Sequence, residues 1–210
     1  MSDVKMEKKR AYRSPLREEQ ARLTRDRILD AALALFSTQG YGATSIAVSA
    51  REAGVVPETI YASLGSKRGI IDALIERAAS PQVIGAMAAA WGAKAGDPAA
   101  QLAALAHFTT VFWVRNSALA AVFRQGTGDV EIGGEWAVRQ TARHGLAVHL
   151  LGTWPASAFR DGVDLDEAAD VLWVLATVEV FHLFVTERGW TVERFEAWLS
   201  RVLCRELLGV

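Results

Sequence analysis

Residues 24–74 read TRDRILDAALALFSTQGYGATSIAVSAREAGVVPETIYASLGSKRGIIDAL, and their punctuation predicts three or four short helices with a helix-turn-helix at the centre. Ile28, Ala31, Ala32, Leu35 and Phe36 recur at the spacing of one helix face. Thr24 is placed to cap that helix, Asp26 suits the positive end of its dipole, and Gly40 ends it. A second helix follows Thr44 or Ser45 and closes at Ala53-Gly54, where glycine supplies the positive φ of a tight interhelical turn.

The third helix of the stretch carries the functional signal. Pro57 suits a first helical position, because its missing amide has no partner there and its φ is already helical. From that start Ile60, Ser63 and Leu64 point one way, while Pro57, Glu58, Tyr61 and Ala62 point the other. Ile60 and Leu64 are expected to bury, and the second set to enter a major groove. Ser66 is placed to cap a fourth helix with a buried stripe of Ile70, Ile71, Leu74 and Ile75. Lys67 at its amino end makes an anion site with the free amides, of the kind that holds a DNA phosphate.

This stretch resembles the DNA-binding domain of the TetR family of transcriptional regulators. The matching residues are the ILDAALALF run at 28–36, the Gly40-Tyr41 turn, Thr44, Ala53-Gly54-Val55, Thr59-Ile60-Tyr61 and Gly65-Ser66-Lys67. Matches in order over about fifty residues are more specific than any short motif. The resemblance implies phosphate contacts from Thr44, Thr59, Tyr61 and Lys67, and base-facing positions at Pro57, Glu58 and Ala62. It also implies a variable small-molecule domain and dimerising carboxy-terminal helices. The chain departs from the family at Ser49, in place of a branched apolar core residue, and at Val56, in place of a capping Ser or Thr. Further departures are Ser63-Leu64, in place of a frequent His-Phe pair, and Glu58, whose carboxylate is suited to accept from a cytosine amino group.

Composition fits a two-part helical regulator. At 210 residues and 51% hydrophobic content the chain is able to bury a substantial core. The net charge of -1 hides an asymmetry: residues 1–77 hold 13 Lys/Arg against 10 Asp/Glu, and residues 78–210 hold 10 against 14. The positive field lies with the helix-turn-helix. Expected boundaries are a basic flexible arm at 1–20, the DNA-binding domain at 21–78 and a helical ligand-binding and dimerisation domain at 79–210. The arm, rich in Lys and Arg and interrupted by Ser14-Pro15, reads either as a phosphate or minor-groove contact or as a solubilising tail. There is no signal-like apolar start, and the longest apolar run, 171–185, is interrupted by Glu179 and His182. A cytoplasmic, non-membrane protein is expected. Cys204 stands alone and reads as a small buried hydrophobe.

Beyond residue 80 the chain reads as all-α. Asp97-Pro98 opens a helix to about Asn116, a shorter one reaches Arg124, and another covers 135–151 after a glycine-marked loop containing Gly126, Gly128, Gly133 and Gly134. GTGDVE is not a dinucleotide fingerprint, lacking the third glycine and a preceding strand. All seven Trp and seven of the eight Phe lie beyond residue 90. Some fill the core; together they are expected to line an apolar ligand cavity. The candidate ligand contacts are His107, Phe108, Phe112, Trp113, Phe123, Trp136, Arg139, His144, Trp173 and Glu179, with Trp91, Trp154 and Arg143 nearby in the same reading.

Asp164 with Glu167, and Thr191, mark the starts of two last helices, the first ending near Gly189 and apolar nearly all round. A helix with two apolar faces needs two partners, so a homodimer through the last two helices is expected, with Phe181 and Phe184 at its seam. His107, His144, His149 and His182 form no metal-binding pattern, and no nucleophile has an activating context. Glu179 and His182, three apart, read as a buried polar or ligand-orienting pair. No enzyme activity, catalytic residue, metal or cofactor is expected. The function these features define is a ligand-responsive DNA-binding regulator, most simply a repressor released from a palindromic operator by a hydrophobic small molecule. The alternative is a small-molecule-binding or sequestering protein with a vestigial DNA-binding head.

Overall fold

The computed structural model describes residues 15–126 and 128–208, within which all regular elements are helical. In chain order they are α1 (Pro15–Gln39), α2 (Ile46–Glu52), α3 (Pro57–Leu64), α4 (Lys67–Ala78), α5 (Pro81–Gly92), α6 (Pro98–Arg115), α7 (Ser117–Gln125), α8 (Val130–Leu151), α9 (Leu165–Leu175), α10 (Val178–Phe181) and α11 (Val192–Leu208).

Local chemistry sets most of these boundaries. Gly40, at φ 91°, follows the end of α1, and Gly54, at φ 66°, makes the turn between α2 and α3. The Ser45 and Ser66 hydroxyls accept from the Val48 and Gly69 amides at 3.2 and 3.0 Å. Val56 gives α3 no side-chain cap, and Pro57 starts the helix in its place. In α2, Ser49 is buried but its hydroxyl donates to Ser45 O, so the missing branched side chain leaves no orphaned polar group. Asp97, Asp129 and Asp164 cap α6, α8 and α9 through hydrogen bonds to nearby amides.

Three expected boundaries are corrected. Thr24 does not start the first helix: α1 already begins at Pro15, braced over its added turns by Arg22 between Glu19 and Asp26. Of the expected arm, residues 15–20 are therefore helical and residues 1–14 lie outside the described part. Gly133 and Gly134 lie inside α8, since the Asp129 cap nucleates the helix ahead of them. The apolar helix expected to run on to Arg188 is broken at Ala176-Thr177, with the two halves bent by 44°. Trp113 Nε1 donates to Ala176 O at 3.0 Å and Thr177 Oγ1 accepts from Val180 N at 3.2 Å, so both partners of a continuous helix are diverted at one point. Past α10 the chain widens into a π-turn over His182–Glu187. There His182 Nε2 lies 3.0 Å from Glu187 Oε1, so the expected Glu179–His182 pair does not form. No single helix among the described residues is long and apolar enough to cross a membrane.

Two apolar cores follow. One joins Ile28, Phe36, Ile60, Ile70 and Leu74 of α1–α4 to Leu119, Val122, Phe123 and Ile132 of α7 and α8. The head is thus packed on the body rather than strung from it. The other, between α5, α6, α8, α9 and α11, holds Leu102, Leu151, Phe195, Leu199 and Leu203. Each such side chain, fully withdrawn from water, contributes about 1.5–3 kcal/mol. Trp91 and Trp154 stack there at 5.7 Å, with Trp154 Nε1 bonded to Gln101, so these two rings fill core rather than line a ligand site.

Gly69 fixes the approach of α3 to α4. A Cβ at this position would stand 1.8 Å from Leu64 O. Gly69→Ala is expected to lower unfolding free energy by about 2 kcal/mol, in the range of other overpacked sites, and a urea titration checks it.

Candidate DNA-binding face and ligand cavity

The outer face of α3 is formed by side chains that its own packing leaves over. Ile60 is fully buried and Leu64 packs on the same core, which turns Glu58, Tyr61 and Ala62 to solvent, Tyr61 at 54% exposure. Pro57 and Thr59 lie at the half-buried edges of that face. Arg25 clamps the helix end by donating to Ser63 O at 3.0 Å. Two expected phosphate contacts are placed differently. Thr44 is 1% exposed and its hydroxyl donates to Gly40 O at 2.9 Å, so it ties a turn and has no side-chain atom free for DNA. Lys67 lies with its ammonium 4.0 Å from the Tyr41 ring centroid, a cation–π contact on the body-facing side of the head. Burial lowers the Lys67 pKa, against the opposing charges of Asp129 and Glu131.

The seam between head and body is polar at two points. Tyr41 donates to Glu131 Oε2 at 2.8 Å, and burial followed by this hydrogen bond pushes the phenol well above its ordinary range. One turn further along α8, Glu135 is only 8% exposed. Its carboxylate accepts from Arg68 of α4 and from Arg139 Nε of α8, the latter at 2.7 Å. A buried carboxylate held by two guanidinium groups resists rearrangement, because freeing either one leaves charge uncompensated.

Arg139 also belongs to the wall of a cavity of about 310 Å³ enclosed by α4 to α9. Phe108, Phe112, Trp113, Phe123, Trp136, Arg139 and Trp173 are brought together around it. Trp113 and Trp173 are fixed by hydrogen bonds to Ala176 O and Gln140 O. Three other candidates stand elsewhere. His107 is 66% exposed in its side chain and lies 3.0 Å from Glu196. His144 pairs with Asp170 at 2.9 Å, outside the wall. Glu179 is not a wall residue, and its Oε2 is buried without a hydrogen-bond partner among the described residues.

Helical phase explains the sorting. On α6 the wall takes positions 105, 108, 109, 112, 113 and 116, a single stripe that His107 falls off. On α8 it takes 136, 139, 140, 142, 143, 146, 147 and 150, which leaves out His144 and admits Arg143. Counting along these stripes separates His107 and His144 from Arg139 and Arg143. The wall also includes Ile75 and Ala78 from the last turn of α4, which the expected boundaries place in the head, and Ala79 just after it. Arg143 is held by Nε to Gln140 Oε1 at 3.1 Å and lies 5.7 Å from the Trp173 ring. Burial brings its pKa down to about 10, with Glu179 pulling the other way, so it stays charged at neutral pH.

A head of α1–α4 with an exposed recognition helix, packed on a helical body around an apolar cavity, joins a groove-sized helix face to a space for a small molecule. Residues 28–74, the head, match the family described as bacterial regulatory proteins, tetR family. Solved structures share the fold over most of the chain. NalD, the secondary repressor of the MexAB-OprM multidrug efflux pump in Pseudomonas aeruginosa, is 18% identical, with 90% of this chain and 98% of that one covered at a TM-score of 0.72. A TetR-like transcriptional regulator from Rhodococcus sp. RHA1 is 23% identical, covering 87% and 94% at 0.65. SmeT, solved as a complex with triclosan, is 16% identical, covering 89% and 92% at 0.67. No curated protein matches the sequence.

Proposed function

We propose that this chain is a homodimeric transcriptional repressor that leaves a palindromic operator when an apolar small molecule enters the α4–α9 cavity. The observation that carries the reading is the double membership of α4: it packs on the recognition helix in the head, and its last turn forms part of the cavity wall. NalD is a repressor and SmeT was captured with triclosan, which is in keeping with this reading. Pro57, Glu58, Thr59, Tyr61 and Ala62 would meet DNA, and Lys67 would join them by exchanging the Tyr41 ring for a phosphate oxygen. The two recognition helices of the dimer would enter successive major grooves roughly 34–36 Å apart.

The subunit contact would use the outward side of α9 and α11, where Val171, Val174 and Val202 border an apolar groove and Val174 is 49% exposed. Of the two rings expected at the seam, Phe181 is buried on Phe195, while Phe184 stacks on Trp190 and Trp198 of its own chain and stays half-buried. Sedimentation at micromolar concentration should give the dimer mass. The ligand would be bound and released without turnover. A ligand that weakens operator binding by some factor must itself be weakened by DNA by the same factor. Tryptophan-fluorescence titrations with and without operator DNA test the reading, with equal ligand affinities in the two titrations as the contrary result.

A further inference from the structure

The cavity wall carries two charged side chains among the described residues, Arg139 and Arg143, and no carboxylate. Their situations differ. Arg139 is engaged by Glu135 at 2.7 Å. Arg143 uses Nε on Gln140, while Nη1 and Nη2 are buried with no hydrogen-bond partner among the described residues. Glu179 acts on Arg143 through charge alone, for the two form no ion pair within 4.0 Å among the described residues. A buried guanidinium edge with two unused donors is costly, and a ligand oxygen pair reaching it from the cavity would satisfy both.

We propose that the ligand of this cavity is an apolar monocarboxylate whose two oxygens accept from Arg143 Nη1 and Nη2, with its hydrocarbon body lying among Phe108, Phe112, Trp113 and Trp173. This rests on the reading of the cavity as an effector site and adds the ligand's polar group. The planar, two-donor edge of a guanidinium matches a carboxylate in bidentate geometry. With Arg139 engaged by Glu135 and Glu179 reaching Arg143 only through charge, the two Nη donors of Arg143 take one carboxylate; a dianion would leave charge uncompensated in apolar surroundings, and an apolar ligand would leave those donors unused.

The test uses full-length protein and three probes of one shape: 2-naphthoate, 2-naphthamide and naphthalene, followed by tryptophan fluorescence. Wild type is expected to bind 2-naphthoate at least tenfold more tightly than 2-naphthamide. Arg143→Met should abolish that preference while changing naphthalene affinity less than threefold, and Arg143→Lys should retain part of it. Decanoate against decanamide then distinguishes an aliphatic from an aromatic body. Equal binding of acid and amide to wild type overturns the carboxylate assignment even if every variant is unstable, while naphthalene binding leaves the apolar cavity standing. Failure of all probes to bind overturns both.

Discussion

Ala62→Asp is expected to cut operator affinity about a hundredfold while leaving the urea midpoint unchanged. Ala62 is exposed on the outer face of α3, so the new carboxylate meets water in the free protein and displaces no packing. On DNA the same group faces a groove lined by phosphates. A penalty of roughly 1.4 kcal/mol at each of two half-sites multiplies to about a hundredfold in a dimer. Filter binding or fluorescence anisotropy beside the urea titration checks it. Undiminished affinity would place the DNA face on some other surface of the head.

Glu135→Gln is expected to disconnect the cavity from the head. The substitution keeps the shape and one acceptor oxygen but removes the charge that Arg68 and Arg139 share. Coupling between ligand and operator, ordinarily about 5–150-fold in such proteins, should fall below about threefold. Ligand affinity without DNA should change little, because Glu135 is not itself a wall residue. Both arginines are over a third exposed and can rehydrate, so the stability loss should stay near 2 kcal/mol, below that of a fully enclosed pair. Operator affinities with and without ligand, compared between wild type and variant, measure the coupling. Full coupling in the variant would show that the signal travels through α4 packing alone.

What the sequence made legible was local. Gly40, Gly54, Ser45 and Ser66 announce their turns and caps within a few residues, and the burial of Ile60 decides which side of α3 faces out. The cavity was legible as a surplus of rings, but only helical phase separates Phe108 and Phe112, on the wall, from His107, one residue away and facing Glu196. The polar seam had no local signature, since Tyr41 and Glu131 are 90 residues apart and Arg68 and Glu135 are 67 apart. The break at Ala176-Thr177 was half hidden: the Thr177 cap is local, but the donor to Ala176 O is the indole of Trp113, 63 residues earlier. At Thr44, which matches the family's pattern, the sequence carries no sign that the hydroxyl donates to its own backbone at Gly40 O.

The most direct measurement of the whole account is a selection of random duplex DNA by the full-length protein, repeated with an apolar ligand that quenches its tryptophan fluorescence. The expected result is enrichment of a two-fold symmetric sequence with half-sites about one helical turn apart or a multiple of it, bound with strong salt dependence and lost when the ligand is present. Binding without any enriched sequence, or a symmetric sequence held equally well with ligand bound, would contradict it.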